Sequence, residues 1–360
     1  MSMQEAVHAR PAQAVAVPST TAEQAAWFQG AFQGLVDNVS RAIVGKQHVV
    51  RLVLTSLLTE GHVLLEDAPG TGKTVLAKAL ARSIDGENSR IQFTPDLLPS
   101  DVTGVTIYDQ QKAEFEFHPG PIFASIVLAD EINRASPKTQ SALLEVMEEG
   151  HVTIDGLRHD VPQPFMVIAT QNPVEQAGTY RLPEAQLDRF LIKTSIGYPD
   201  HETTVRVLLD AANRSRADAV HPILGGETVT TMQQFAGRVH VDTAIMEYVS
   251  RLVSGTREHP DVVLGASMRG ALALARAAKT WALSQGRHYV IPDDVRELAV
   301  PVLSHRLVMD PEAEFSGTTA EDVVGRLVLE IAPPQRRAEA ARIVVAPGGE
   351  ERADPGADTT

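Results

Sequence analysis

The sequence contains no cysteine, no long apolar run and no extended basic stretch, and each of these absences excludes a class of protein. Without cysteine, the 360-residue chain can form no disulfide, use no thiol nucleophile and bind no zinc through thiolates. No apolar run approaches about 18 residues, so no membrane span is predicted. Residues 1–18 lack the basic and apolar regions of a secretory signal, and we therefore expect a cytoplasmic location.

The chain is acidic, with a formal net charge of −14. Proteins that bind nucleic acid take much of their affinity from Lys and Arg side chains placed against phosphates. The pair Arg336 and Arg337 is not extended into a longer basic run, and nucleic acid is therefore disfavoured as a partner. A content of 43% hydrophobic and 22% charged residues is ordinary for a globular chain, and the length allows a core and a second domain.

Sequence patterning divides the chain into four stretches. Residues 1–19 are rich in Ala, Gln and Pro without periodicity, which predicts disorder. Residues 20–199 carry helical segments and unbroken apolar runs typical of parallel strands, which predicts an α/β sheet covered by helices on both sides. The predicted strands lie at 62–66, 90–93, 126–129, 165–170 and 191–196. Residues 200–335 are predicted to be helical, and 336–360 to be a largely disordered tail.

Three shorter features stand out from this pattern. Thr20 and Glu23 have the spacing of a capping box, in which each residue satisfies a backbone amide of the other at the start of a helix. Residues 104–117 alternate like two hairpin strands, and residues 151–164 contain two short runs on either side of a turn at Asp155-Gly156. We therefore predict a helix start near residue 20 and two β-hairpins within the α/β part.

A predicted strand, a glycine-rich turn and a helix together predict a phosphate-binding loop at residues 67–74. Such a loop needs backbone amides at a helix N-terminus, glycines where the chain meets phosphate, a lysine for the β and γ oxygens and a hydroxyl for Mg²⁺. The expected nucleotide-binding residues are Ala68, Pro69, Gly70, Thr71, Gly72, Lys73, Thr74 and Val75. Asp67 stands where the strict pattern has glycine, and it adds a negative charge near phosphate. The alternative interpretation of the whole segment 67–74 is an ordinary strand–turn–helix connection.

A second acidic signature follows the apolar segment 125–129, which ends in Asp130 and Glu131. We expect Asp130 to bind Mg²⁺ through water, with Thr74 as the other protein ligand. Glu131 is expected to orient and deprotonate the attacking water. A strand that ends in two carboxylates is common by itself. Here the strand is predicted to belong to the same sheet as the strand before the phosphate loop, and this favours a functional interpretation. The two signatures predict a site that binds Mg·ATP and hydrolyses it.

These segments resemble the AAA+ ATPases, and within them the MoxR type of the helix-2-insert clade. The most specific stretches are 130–140, 169–173, 182–190 and 265–269. The resemblance covers roughly residues 40–335, most of the chain. It implies a phosphate-loop core with a parallel sheet flanked by helices, followed by a smaller all-α lid domain.

The resemblance also implies roles for residues outside the phosphate loop. Asn172 matches sensor 1, which positions the attacking water, although an Asn-Pro turn is the simpler interpretation. Arg189 matches the arginine finger, which acts on the neighbouring subunit's nucleotide, with Arg181 and Arg134 as rival candidates. Arg269 matches sensor 2, which contacts phosphate in cis from the lid. For Arg189 the alternative is a surface ion pair with Asp188, and for Arg269 it is an arginine on a helix surface.

The hairpins have counterparts in the resemblance as well. Residues 104–117 correspond to the helix-2 insertion of the clade, and 151–164 correspond to its pre-sensor-1 hairpin. In this family such hairpins tend to face a central pore or a partner. Their composition is equally consistent with solvated hairpins.

The resemblance finally implies an assembly and a class of function. It predicts a homo-oligomer, a hexameric ring by family expectation, that acts as a chaperone on a client or adaptor protein. Partners in the family often carry von Willebrand factor A domains, and the chaperone activates them or assists insertion of a cofactor or metal. One alternative is an ATP-dependent binding switch or scaffold with slow, incidental hydrolysis. Another is a DNA-acting AAA+ motor, which the net charge of −14 disfavours.

Overall fold

The computed structural model describes residues 19–68, 70–172, 180, 182–210 and 219–334, without the side chains of 206–210. The disorder predicted for the first residues and the tail therefore lies outside the described part, apart from residue 19. Pro69, Pro173 and Arg181 also lie outside it. Among the helices of the described part, each is too short or too polar to cross a membrane.

The described strands and helices follow the predicted order. The strands are β1 Val63–Glu66, β2 Asn88–Gln92, β3 Gly104–Asp109, β4 Glu114–Pro119, β5 Ile126–Asp130, β6 His151–Ile154, β7 Leu157–Asp160, β8 Met166–Gln171, β9 Ile192–Thr194, β10 Val262–Leu264 and β11 Val308–Met309. The helices are α1 Ala22–Ser40, α2 Gln47–Leu58, α3 Lys73–Ser83, α4 Pro99–Thr103, α5 Pro137–Glu149, α6 Glu184–Leu187, α7 His201–Asp210, α8 Gly226–Gly237, α9 Thr243–Glu258, α10 Met268–Ser284, α11 Pro292–Leu303, α12 Pro311–Phe315 and α13 Ala320–Glu330.

The central feature is a five-stranded sheet in the order β2-β5-β8-β1-β9, with parallel pairing throughout. Side chains of β1 alternate between its faces: Val63 and Leu65 pack with helices α1–α3, and Leu64 packs with α5 on the other side. Burial on both faces explains why these strands are apolar without interruption. The predicted sheet flanked by helices is confirmed.

The lid is built by helices α8–α13. Helices α8, α9 and α11 pack against α10, and α13 packs against α9 and α11. Its core includes the buried side chains Tyr248, Leu274, Leu298 and Val323, and it is continuous with the core beneath α1 and α2. The prediction of an all-α lid is correct for the helices but missed a short antiparallel ribbon of β10 and β11. These strands have only three and two residues, too few for a period-two pattern to be visible in the sequence.

Helix α1 ties the start of the described chain to the lid. Its N-cap is Thr21, whose hydroxyl accepts a hydrogen bond from the amide of Gln24 while the Gln24 side chain accepts from the amide of Thr21. The predicted capping box of Thr20 and Glu23 is therefore displaced by one residue. Thr20 is buried and donates its hydroxyl to the carbonyl of Phe235 in α8, 2.7 Å away, so it is unavailable as a cap.

Both predicted hairpins are confirmed. Strand β3 pairs with β4, and β6 pairs with β7, each in antiparallel register. The rings of Phe117 and His159 stack with centroids 4.0 Å apart, so the two hairpins contact one another. Phe115, Ile107 and Leu157 are exposed at 76%, 50% and 66%, which gives the paired hairpins an apolar outer surface.

Candidate active site

The phosphate loop leaves the carboxyl end of β1 and enters α3. Gly70 and Gly72 have φ angles of +85° and +99°, in the left-handed region that favours glycine. Gly72 is the N-cap of α3, so the loop ends at a helix N-terminus, where free amides and the helix dipole favour an anion. A Cβ atom on Gly70 would meet nothing within 4 Å, which leaves open space beside the loop. This geometry fits the phosphates of a nucleotide.

Lys73 turns back over the loop that it follows. Its ammonium group donates to the carbonyls of Asp67 and Ala68, at 3.2 and 3.3 Å. The Thr71 hydroxyl also donates to the Ala68 carbonyl, at 3.4 Å. The half-buried Thr74 and Val75 follow in the first turn of α3. Apart from Pro69, the residues predicted to bind nucleotide therefore lie together around one cationic side chain.

The charge of Asp67 is directed away from this opening. Its side chain is buried, and its two carboxylate oxygens accept from the amides of Ile196 and Gly197 at 2.6 and 2.8 Å. Its own amide donates to the carbonyl of Gln171 at the end of β8. Because two N–H dipoles face the carboxylate, the departure from the strict pattern does not place an unsatisfied anion against phosphate.

The carboxylate of Asp130 is held at the end of β5, on the same sheet edge as the phosphate loop. One of its oxygens accepts from Arg90 Nη2 at 2.6 Å, and the other accepts from the Thr170 hydroxyl at 2.7 Å. The same hydroxyl accepts from the amide of Glu131 at 2.9 Å. Thr170 therefore positions both acidic residues. Carboxylate and hydroxyl oxygens such as those of Asp130 and Thr74 are of the type that Mg²⁺ takes alongside phosphate oxygens and water.

Glu131 has a φ of +58°, which is uncommon for a residue with a side chain and is a form of backbone strain found at functional sites. Its Oε2 atom accepts from Gln92 Nε2 and from Arg134 Nη1, both at 2.8 Å. Arg134 therefore pairs with the acidic residue of its own subunit. That contact argues against Arg134 as a finger for a neighbouring subunit.

Asn172 follows β8 directly and is buried. Strand β8 lies between β5 and β1, so Asn172 lies between the strand that ends in Asp130 and the strand that enters the phosphate loop. Parallel strands end at one edge of a sheet, where open α/β folds bind their ligands. The structure thus brings the phosphate loop, Asp130, Glu131 and Asn172 to a single edge.

The two predicted arginines meet elsewhere, at the last turn of α5. Arg269 Nη2 lies 2.6 Å from one carboxylate oxygen of Glu148, and Arg189 Nη2 lies 3.0 Å from the other. Arg189 Nη1 also donates to the Leu144 carbonyl at 2.5 Å. One carboxylate is therefore shared by both arginines, and Arg189 does not form the predicted alternative ion pair with Asp188.

This end of α5 lies at the opposite edge of the sheet from the phosphate loop. His62 precedes β1, and its ring bonds the Met147 carbonyl at 2.9 Å, so the helix ends where the strands begin. The four residues of β1 span about 13 Å between the two edges. Arg269 therefore does not reach its own phosphate loop, and the predicted contact in cis is wrong for this arrangement. The presence of a helical lid was predicted correctly, but the edge of the core that Arg269 faces was not.

A cavity of about 300 Å³ opens at this second edge. Its lining includes four arginines, namely Arg189, Arg269, Arg276 and Arg306. Arg306 is buried and bonds Asp188 at 2.7 Å, while the first three are at least partly exposed. Beside the cavity, Val263, Leu264, Met268 and Leu272 expose 55–68% of their surface. The second edge thus brings four arginines together with the carboxylates of Glu60, Glu148 and Asp188, beside exposed apolar side chains.

Sequence reasoning missed four residues that contact the predicted site: Arg90, Gln92, Thr170 and Glu148. A signal existed for the first two, because Arg90 and Gln92 are polar residues two apart on a strand that was otherwise predicted to be buried. They lie on β2, which pairs with β5, and this places them beside the two acidic residues. No comparable signal marks Glu148, which is one of several acidic residues on a helix.

Two segments of the chain match known families. Residues 62–192 match the family described as "ATPase family associated with various cellular activities (AAA)". Residues 254–327 match the AAA lid domain. The first segment runs from the residue before β1 to the first residue of β9, and the second runs from α9 into α13.

Several known proteins are similar along most of the chain. It is 51% identical over 302 residues to the uncharacterized protein YeaC of Bacillus subtilis, covering 84% of this chain and 94% of that protein. It is 44% identical over 310 residues to the chaperone MoxR1 of Mycobacterium tuberculosis, covering 82% and 81%. The crystal structure of a candidate ATPase from Cytophaga hutchinsonii superimposes with a TM-score of 0.81 at 37% identity, covering 87% of this chain and 98% of that one.

Proposed function

Because this chain belongs to the MoxR-type family of AAA+ ATPases and is an ATP-hydrolysing enzyme, we propose that it uses Mg·ATP to remodel or activate a partner protein. The observation that carries the proposed site is the Thr170 hydroxyl, which bonds both Asp130 and the amide of Glu131 beside the phosphate loop. A strained glutamate next to a fixed aspartate fits a water-activating base next to a metal ligand.

In the proposed site each residue has one task. The amides of the glycine loop and Lys73 would bind the phosphates, and Thr74 and Asp130 would hold Mg²⁺, Asp130 through water. Bound Mg²⁺ would neutralise charge on the β and γ phosphates. Glu131 accepts a proton from the attacking water once its carboxylate is released from Gln92 and Arg134, and Asn172 orients that water.

We assign Arg189 and Arg269 to the nucleotide of a neighbouring subunit. Both lie at the edge of the sheet away from their own phosphate loop, and both are held by Glu148. The exposed apolar side chains beside them, such as Met268 and Leu272, support the burial of this surface by a second copy. The proposed assembly is a ring, a hexamer by family expectation, in which each arginine pair meets the next subunit's phosphates.

Substitution of Glu131 by Gln tests the proposed hydrolysis. The variant should bind ATP as the wild type does and release phosphate at least about 100-fold more slowly, because a general base is lost while the site keeps its shape. Glu145→Gln is the matched control, since Glu145 is an exposed residue of α5. Phosphate release from Glu131→Gln at the wild-type rate would contradict the role given to this residue.

The client is proposed to be a protein, with a von Willebrand factor A domain protein as the first candidate and cofactor or metal insertion as a candidate outcome. Tagged Glu131→Gln protein held in the ATP state should co-purify with such a partner, and wild-type protein with ADP should not. Absence of any ATP-dependent partner from the native host would contradict the chaperone role. The cytoplasmic location, and the division into a core at 20–199 and a lid at 200–335, are part of the same proposal.

A second candidate is an ATP-dependent binding switch with slow hydrolysis. The observation that favours it is the double hydrogen bond that holds the Glu131 carboxylate away from a water-activating role. Basal hydrolysis that is slow and unchanged by Arg189→Ala would support the switch. A strong dependence on Arg189 would support the remodelling enzyme.

A further inference from the structure

Asp67 forms hydrogen bonds that the binding of phosphate does not require. Its buried carboxylate accepts from two consecutive backbone amides, those of Ile196 and Gly197, at 2.6 and 2.8 Å. Ile196 is itself buried, and Gly197 has a φ of +64°, a left-handed conformation that turns its amide toward the same acceptor as the amide before it. Two adjacent amides that share one carboxylate form a specific anion site, here filled by a side chain.

The segment that Asp67 holds connects the core to the lid. It follows β9, the last strand of the parallel sheet, and precedes α7, the first helix beyond the sheet. We call residues 195–200 the connector. The connector is held from a second side as well, since Lys46 Nζ donates to the Tyr198 carbonyl at 2.9 Å. The first residue of the phosphate loop is thus bonded directly to the chain that leads into the lid.

Lys73 provides a route from phosphate to this contact. In the structure its ammonium group bonds the backbone carbonyls of Asp67 and Ala68. A lysine that turns to both the β and γ phosphates must give up at least one of these carbonyls, because its three ammonium protons cannot serve two carbonyls and two phosphate oxygens. We take the Asp67 carbonyl as the one released, so that the peptide between Asp67 and Ala68 loses its contact with the cation. Any rotation of that peptide moves a side chain bonded to two amides of the connector.

We infer that Asp67 is a positioning residue that couples occupancy of the phosphate loop to the connector and so to the lid. The inference rests on the proposed function in one respect, namely that the loop is occupied by ATP. It explains why aspartate stands where the strict pattern has glycine. Glycine would free the loop from the connector and leave the amides of Ile196 and Gly197 without their acceptor.

Two substitutions separate this role from general support of the fold. Asp67→Asn keeps the shape of the side chain, but an amide offers one oxygen and one NH₂ group, so one of its two contacts becomes donor against donor. Asp67→Gly restores the strict loop pattern and removes both contacts. Asp85→Asn is the matched control, because Asp85 is an exposed aspartate in the turn after α3 with a φ of +52°, which asparagine tolerates.

Amide hydrogen exchange of the full chain, with and without Mg²⁺ and the slowly hydrolysed analogue ATPγS, tests the coupling. Without nucleotide, the amides of Ile196 and Gly197 should exchange about tenfold faster in both Asp67 variants, and the control should match the wild type. With ATPγS, exchange of the connector should change in the wild type and stay constant in Asp67→Gly. Steady-state ATPase should show a KM within a few-fold of wild type and a kcat reduced by about tenfold or more.

Unchanged exchange at Ile196 and Gly197 together with unchanged kcat in Asp67→Gly would overturn the inference. Faster exchange in β8 would reveal that the variants are unfolded. In that case the test is the wild type alone, and unchanged exchange of its connector on binding ATPγS would overturn the coupling. Failure of the proposed function looks different, because the wild type would then neither bind ATPγS nor hydrolyse ATP. In that case exchange without nucleotide still decides whether Asp67 holds the connector.

Discussion

Arg189→Ala should stop ATP hydrolysis in a uniform oligomer without damaging the variant's own phosphate site. The arginine lies at the edge of the sheet where β1 begins, bonded to Glu148 and to the Leu144 carbonyl, and the phosphate loop lies at the other edge. Its removal therefore leaves every group around Lys73 and Asp130 in place. ATP affinity should stay within a few-fold of the wild-type value, while kcat falls.

The size of the effect follows from the two tasks of the side chain. An arginine supplied by a neighbour is worth about 10³–10⁵ in kcat, or about 4–7 kcal/mol of transition-state stabilisation. Removal also costs stability, because a charge-assisted bond to Leu144 and a partly exposed ion pair with Glu148 are lost. These together contribute about 2–4 kcal/mol, which a urea unfolding curve measures separately. The loss of rate is thus far larger than the loss of stability can explain at low temperature.

Mixing two inactive variants is the decisive assay. Arg189→Ala subunits keep Glu131, and Glu131→Gln subunits keep Arg189. An interface between them is therefore complete when the nucleotide site belongs to the Arg189→Ala subunit and the arginine belongs to the Glu131→Gln subunit. In randomly mixed rings about one quarter of the interfaces have this composition, and about a quarter of the wild-type rate should return. Arg326→Ala is the matched control, since that arginine forms an exposed ion pair on α13 and should leave the rate unchanged.

Two results would refute the reasoning. Subunit exchange can be followed by energy transfer between labelled variants, and a fully mixed population with no recovered activity would show that Arg189 does not act across the interface. A monomeric fraction that hydrolyses ATP at the full wild-type rate would show that no neighbour is needed.

Three further outcomes follow from contacts described above. Arg90→Ala should lower the Mg²⁺ concentration for half-maximal ATPase by about threefold, because Arg90 lies 2.6 Å from Asp130 and would compete there with the proposed metal. A higher requirement for Mg²⁺ would contradict this. Burial lowers the pKa of His62 to about 4, so protons bind the unfolded state first as pH falls below about 6.5. Neutral His62 therefore contributes up to about 3 kcal/mol to the free energy of unfolding above pH 6.5, and this contribution is lost as the pH falls toward 4. His62→Gln should make the urea midpoint depend less steeply on pH. An equally steep dependence would contradict this. Gly104→Ala should expose the β3–β4 hairpin to limited proteolysis, because a Cβ there would lie 2.3 Å from a carbonyl oxygen of β4, whereas Gly30→Ala meets nothing within 4 Å and should not.

Features determined by local sequence were predictable. The strand before the phosphate loop, the helix after it and the two hairpins depend on neighbouring residues, and each lies within a few residues of its predicted bounds. The glycines at 70 and 72 were assigned because the chain must approach phosphate closely there, and both have the left-handed backbone that favours glycine. Interactions between residues that are close in the sequence largely determine such features.

Features that depend on which segments meet in space were not predictable. Gln92 contacts Glu131 because β2 pairs with β5, a strand order that the sequence does not state. The acceptor role of Asp67 depends on where the chain runs after β9, more than 120 residues later. The contact of Arg269 in cis was wrong for the same reason, since the helical pattern of α10 says nothing of how the lid is turned on the core.

Glu148 holds Arg189 and Arg269 at the edge of the sheet opposite the phosphate loop, so the two edges of a subunit differ. The proposed nucleotide site lies at one edge of the parallel sheet, and the arginines that contact Glu148 lie at the other. In the proposed assembly, one side of a subunit would therefore supply arginines and the other side would receive them. A two-fold dimer through the arginine side would set arginines against arginines, whereas a head-to-tail arrangement would match unlike sides and, with a suitable rotation between neighbours, close as a ring. In such a ring, loss of the arginine pair from one subunit would stop ATP hydrolysis only at the neighbouring nucleotide site that receives it. A signal from one hydrolysis event would therefore pass around the ring in a single sense.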